Sequence, residues 1–113
     1  MKHIMKLLPE SFEEITLDRK NIEYRVNDEK RQKIQQGDTI EFFKLPELKE
    51  SLEVIVTERC EYKNFTEMFT DLFGLFQDEY ANPEEVAEAM YEIYTKEEEE
   101  KYGGLAIKFE YEG

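Results

Sequence analysis

Hydrophobic and polar positions along this chain recur at two periods, and each change of period marks a new element. Residues 2–8, KHIMKLL, read as a first strand closed by Pro9. Pro9 suits a first helical turn, and Glu10 and Glu13 favour a helix N-terminus. Phe12 and Ile15, extended by Leu8 and Leu17, then give the inward stripe of a helix ending near Asp18. From Lys20 to Val26 the period falls to two: Ile22, Tyr24 and Val26 share one side, and Glu23 and Arg25 share the other, with Lys20 near them. Asn27 and Asp28 cap a short helical turn anchored by Ile34, and Gln36-Gly37-Asp38 turns into a strand over 39–43 built on Ile40 and Phe42.

The second half repeats the contrast. After a loop over 45–50, residues 51–60 form the clearest strand, with Leu52, Val54 and Val56 on one face and Ile55 on the other. Residues 61–64 turn the chain, and Asn64 or Thr66 starts a helix carrying Phe65, Met68, Phe69, Leu72 and Phe73. Their helical spacing makes this aromatic stripe core rather than a base-stacking platform. Residues 74–82 read as an ordered loop or lid. Pro83 then opens a helix through Tyr94, with Val86, Ala89, Met90 and Ile93 inward. Thr95-Lys96-Glu97-Glu98 is a capping box for one more short helix, whose acidic run over 97–100 is read as surface. Gly103-Gly104 ends it, and Leu105, Ile107, Phe109 and Tyr111 form the last alternating strand. About five or six strands, interrupted by three or four helices without a βαβ rhythm, imply an α+β fold with a small, mostly antiparallel β-barrel, as one domain over 1–113.

Composition narrows the function. A 40% hydrophobic content with eight Phe and seven Tyr favours a packed core despite a net charge of −13. The single cysteine, Cys60, excludes an internal disulfide and suits a reducing cytoplasm. No apolar run reaches signal or membrane length, so a soluble cytoplasmic protein is expected, as a monomer or weak dimer. Such an acidic chain repels long phosphate backbones, which disfavours tight binding of bulk RNA or DNA. Yet Arg19, Lys20, Arg25, Lys30, Arg31 and Lys33 crowd into one short stretch, with Lys44 just beyond it. Such a basic island acts over a Debye length of roughly 8–10 Å and suits a short or single-nucleotide ligand.

Phosphate-loop, dinucleotide and zinc motifs are all missing, so no cofactor or metal is implied, and the only histidine, His3, is read as structural. What remains is Lys20, Glu23 and Arg25, joined by Lys30 and a tyrosine such as Tyr94. Arg25 offers a rigid fork of donors, Lys20 a mobile ammonium, and Glu23 an acceptor for an exocyclic amine. Tyr24, Tyr62 or Tyr94 offers a stacking face. The bland alternative is that Glu23 and Arg25 pair on an exposed strand face, worth ~0–1 kcal/mol.

The stretch from Lys20 to Arg25 resembles the signature of the ASCH family, G-x-K-x-x-E-x-R, with Asp18 standing where the pattern has glycine. The likeness continues through D-E-K-R at 28–31, Gly37-Asp38, H-x-M-x-L at 3–7, L-x-V-x-V at 52–56, F-x-x-x-F-x-x-L at 65–72, and Y-T-K-E-E and K-Y-G near the end. It implies a PUA-like pseudobarrel with a cleft beside the Lys20 strand that recognises RNA, a polar base or a modified nucleoside. One branch of the family consists of amidohydrolases that deacetylate N(4)-acetylcytidine using a lysine and a threonine nucleophile. The resemblance would make Lys20 and Glu23 the catalytic pair here, with Glu23 at the threonine position, where a carboxylate must form an anhydride or activate water. A third reading is a protein-interaction module with no nucleotide ligand.

Overall fold

The computed structural model describes residues 1–113. In chain order the elements are β1 (Lys2–Leu7), α1 (Pro9–Thr16), β2 (Ile22–Val26), α2 (Glu29–Gln32), β3 (Thr39–Lys44), β4 (Ser51–Tyr62), α3 (Phe65–Asp71), α4 (Pro83–Met90), α5 (Lys96–Tyr102) and β5 (Gly104–Glu110). The strands form one five-stranded sheet in the order β1-β3-β4-β5-β2. β1 runs parallel to β3, and β3 antiparallel to β4, so the sheet is mixed and the fold is α+β. No helix is long and apolar enough to cross a membrane.

The chain divides into two compact units. The first comprises residues 1–23, 34–59 and 107–113, and the second residues 24–33 and 60–106. In the first, the alternation in β3 and β4 buries Ile40, Phe42, Leu52, Val54 and Val56, α1 adds Phe12 and Ile15 to the core, and Phe42 meets Phe109 at 5.7 Å between ring centroids. His3 fills a structural role: its Nε2 lies 2.8 Å from Asp38 Oδ2. That contact and the Gln35 N–H hold the Asp38 carboxyl down at about 2. Leu8 and Leu17, expected inward, are exposed, because α1 presents only Phe12 and Ile15 to the core.

In the second unit Phe65, Met68 and Phe69 are fully buried, as their helical spacing predicts, and Asn64 is the cap of α3. Tyr24, Phe69 and Phe76 pack against one another through tilted and edge contacts, with ring centroids 5.2–5.3 Å apart, and Tyr80 lies 6.3 Å from Phe76. The segment expected as a loop or lid over 74–82 therefore begins with a short 3-10 turn, Phe73–Leu75, and is anchored through Phe76. Two expectations fail here. α4 stops at Met90, so Ile93 lies past the helix and is 70% exposed. The acidic run of α5 is not all surface, since Glu99 is only 8% exposed.

Glu99 is buried because two donors need it. Its Oε2 accepts the Phe65 backbone N–H at 2.8 Å, satisfying the first turn of α3, and its Oε1 accepts the Tyr91 hydroxyl at 2.5 Å. The Thr95–Glu98 capping box starts α5 so that Glu99 points this way. The bond to Glu99, with desolvation, pushes the Tyr91 hydroxyl up from 10.0 to about 12. A proton held more tightly in the folded state stabilises fully below the unfolded value, and that contribution disappears as pH rises through the folded one. Urea unfolding followed from pH 9 to 12 should therefore show stability falling between about 10 and 12 in the native chain. Tyr91→Phe should lack this component; an identical alkaline profile in the variant would contradict the assignment.

Candidate functional site

The turn that leads into β2 is a Schellman motif. Arg19 N–H bonds the Glu14 carbonyl at 2.8 Å and Asp18 N–H bonds the Ile15 carbonyl at 3.0 Å, closing α1 with Asp18 in a left-handed conformation at φ 58°. A glycine adopts that conformation without strain, and aspartate is among the few other residues that tolerate it. The turn keeps its geometry despite the missing glycine, and it hands the chain directly to Lys20.

Two backbone bonds fix where the following side chains point. Phe109 N–H donates to Asn21 O at 2.9 Å, and Asn27 N–H donates to Gly103 O at 3.0 Å. Together they make β2 antiparallel to β5, with Asn21 opposite Phe109 and Asn27 opposite Gly103. Counting inward, Glu23 faces Ile107 and Arg25 faces Leu105, while Tyr24 and Val26 face Ala106 and Gly104. Tyr24 and Gly104 both turn toward α3: Tyr24 packs on Phe69, and a Cβ on Gly104 would touch Met68 and Phe65. Glu23 and Arg25 therefore lie on the same side of the strands as the buried Leu105, Ile107 and Phe109.

Consequently β2 is largely covered, with Tyr24 and Arg25 half-buried. Glu23 is 7% exposed, and Lys20, its side chain 19% exposed, holds its Nζ 3.3 Å from Glu23 Oε1. Glu23 therefore does not lie on an exposed strand face. Arg25 is half-buried, Arg19 is exposed, and Lys30 projects into solvent from α2. Tyr94 sits in the turn after α4, its ring centroid 6.1 Å from Phe65. Tyr62 donates its hydroxyl to Asp71 at 2.6 Å, and burial together with that carboxylate raises its proton affinity. Lys20 and Glu23 are thus brought together. No group of three metal-ligating side chains converges anywhere in the chain.

Two side chains that the sequence did not single out join this picture. Asn27, 9% exposed, continues the alternation of Glu23 and Arg25, and its Nδ2 donates to Glu61 Oε1 at 3.1 Å. In sequence Asn27 competes with Asp28 as a helix cap; Asp28 does the capping, accepting from Arg31 N–H at 3.1 Å, and this leaves the Asn27 amide for Glu61. The available signal was the two-residue spacing 23, 25, 27, which the helix-capping reading of Asn27 masked.

The α+β fold matches known architecture. The family model of the ASCH domain matches residues 5–112, and the chain belongs to that family. Among solved structures, the crystal structure of hypothetical protein PH0355 is 35% identical, with a TM-score of 0.82, covering 98% of this chain and 99% of that one. The solution structure of protein PF0455 from Pyrococcus furiosus is 36% identical, with a TM-score of 0.73 and coverage of 99% and 98%. The S128A mutant of ZmASCH from Zymomonas mobilis shares the fold at 11% identity, with a TM-score of 0.58 over 96% of this chain and 66% of that one. No curated protein matches the chain. The PUA-like α+β fold expected from the sequence is therefore the fold observed, with one parallel strand pair added.

The left-handed Asp18 gives a direct check on the entry turn. Asp18→Gly should raise stability by about 0.5–1 kcal/mol, seen as a rise of about 2–6 °C in Tm. A fall in Tm would show that the aspartate side chain contributes more than the backbone strain it carries.

Proposed function

We propose that this ASCH domain binds RNA or a nucleoside beside the strand carrying Lys20, Glu23 and Arg25. The single observation that supports this most is the burial of Glu23 at 7% exposure with Lys20 as its ion-pair partner. Moving a carboxylate and an ammonium out of water is rarely repaid by their mutual attraction, and an apolar pair of similar volume is commonly as stable or more so. A charged pair kept at such a position suits a role in recognition. The ligand class follows from the chemistry: Arg25 presents parallel donors to a carbonyl or phosphate, and Lys20 supplies a compact positive charge. The net charge of −13 keeps the rest of the surface from attracting bulk RNA, so selectivity rests on local contacts.

Calorimetric titration with cytidine, its 5′-monophosphate and short single-stranded RNA tests the proposal. Binding should weaken by about 10–100-fold in Arg25→Ala, the loss expected for hydrogen bonds to a charged group, and its salt dependence should correspond to only a few phosphate contacts. No binding of any of the three overturns it. Release of acetate from N(4)-acetylcytidine that vanishes in Lys20→Ala would convert the binding site into an amidohydrolase site; no release leaves a binder.

A further inference from the structure

The face of the sheet turned away from the core carries a cavity that the nucleoside-binding reading does not use. The strand register sets which residues reach it. Thr39 stands opposite Ile55 and Glu41 opposite Glu53 across β3 and β4, and Lys2 of β1 stands beside Thr39. Since Ile40, Phe42, Leu52 and Val54 of the same strands are buried in the core, these alternate positions turn outward. Among them lies a cavity of about 190 Å³ lined by Thr39, Glu53, Val54, Ile55, Glu110 and Glu112. It joins three carboxylates to an aliphatic wall, because Ile55 is left 41% exposed.

Size and charge together decide what fits. Small-molecule pockets run from about 300 to 1,000 Å³, so this one admits a single side chain rather than a nucleoside. Its carboxylates repel a phosphate and attract an ammonium or guanidinium. The chain's own Lys2 shows how a cation is held here: its Nζ lies 2.7 Å from Glu53 and 3.1 Å from Glu41, and these bonds raise its proton affinity. Glu53 is thereby engaged. Glu110 and Glu112 are exposed and enter no ion pair, so the β5 side of the cavity holds negative charge without a counterpart.

We infer that this cavity is a docking site for a basic polypeptide, taking one lysine or arginine side chain whose stem lies against Ile55 and whose charged head reaches Glu110 and Glu112. Long cationic side chains suit such a place, because their methylene stems cover apolar surface while the charge stays at the solvent edge. The net charge of −13 steers any basic partner towards the protein, and the cavity beside Ile55 supplies a fixed point of contact.

The experiment titrates an acetylated peptide of alternating lysine and glycine into protein labelled at the isoleucine methyl groups, followed by NMR. The Ile55 signal should shift, while Ile4 and Ile93, 52% and 70% exposed, should stay in place. Glu110→Gln with Glu112→Gln should weaken binding about three- to tenfold, as expected of two solvent-exposed ion pairs. Glu97→Gln with Glu100→Gln removes the same charge from the surface of α5 and should leave the affinity within about twofold. All four positions are exposed, so both variants keep the fold. No shift at Ile55, equal shifts at the three isoleucines, or equal weakening by the two pairs of substitutions overturns the inference. So does an Ile55 shift produced by single-stranded RNA, which would assign the cavity to nucleic acid, or by raising the protein concentration alone, which would assign it to a second copy.

Discussion

The pairing of β2 with β5 is the constraint from which the candidate site follows. Side chains alternate strictly along a strand, so a slip of one residue would send Glu23, Arg25 and Asn27 to the α3 side and bring Tyr24 and Val26 to theirs. The bonds from Phe109 to Asn21 and from Asn27 to Gly103 hold the strand at both ends against such a slip. The aromatic packing agrees with them, because Tyr24 reaches Phe69 and Phe76 only in this register. With the register set, a buried carboxylate beside Ile107 is unavoidable, and Lys20 is the cation that answers it.

Small residues and buried polar groups at the element ends do the remaining work. Gly103 allows the Tyr62 carbonyl to approach, and Asn64 and Glu99 between them satisfy the first N–H groups of α3. Each is a local solution to a backbone donor or a steric conflict, and each fixes the direction of a neighbouring element. The result is that the Phe65 N–H and the Asn27 amide are held by fixed partners.

Most of the elements were legible in the sequence because their periods are clean. The alternation of Ile40 with Phe42 and of Leu52 with Val54 and Val56, the helical spacing of Phe65, Met68 and Phe69, and the Thr95–Glu98 capping box all reappear as β3, β4, α3 and the start of α5. The candidate trio was legible only as a list of residue types at a spacing. Its burial was not, because a period-two pattern reports which residues share a side and not whether the polar side meets solvent. Glu99, Asn27 and Glu61 were hidden for a related reason. A carboxylate inside an acidic run looks solvated, and only the tertiary position of the Phe65 N–H and the Tyr91 hydroxyl draws Glu99 inward. Ile93 misled in the opposite way, since helical spacing carries past Met90 while the helix itself does not.

The register between β2 and β5 can be measured without any ligand. In an antiparallel pair the non-hydrogen-bonded partners bring their α-protons closest, so a through-space proton NMR spectrum reads the pairing directly. Strong α-proton cross-peaks should join Tyr24 to Ala106 and Val26 to Gly104. Cross-peaks joining Tyr24 to Leu105 or to Ile107 instead would place the strand one residue out of step. Glu23, Arg25 and Asn27 would then lose their common side, and the account of the site with them.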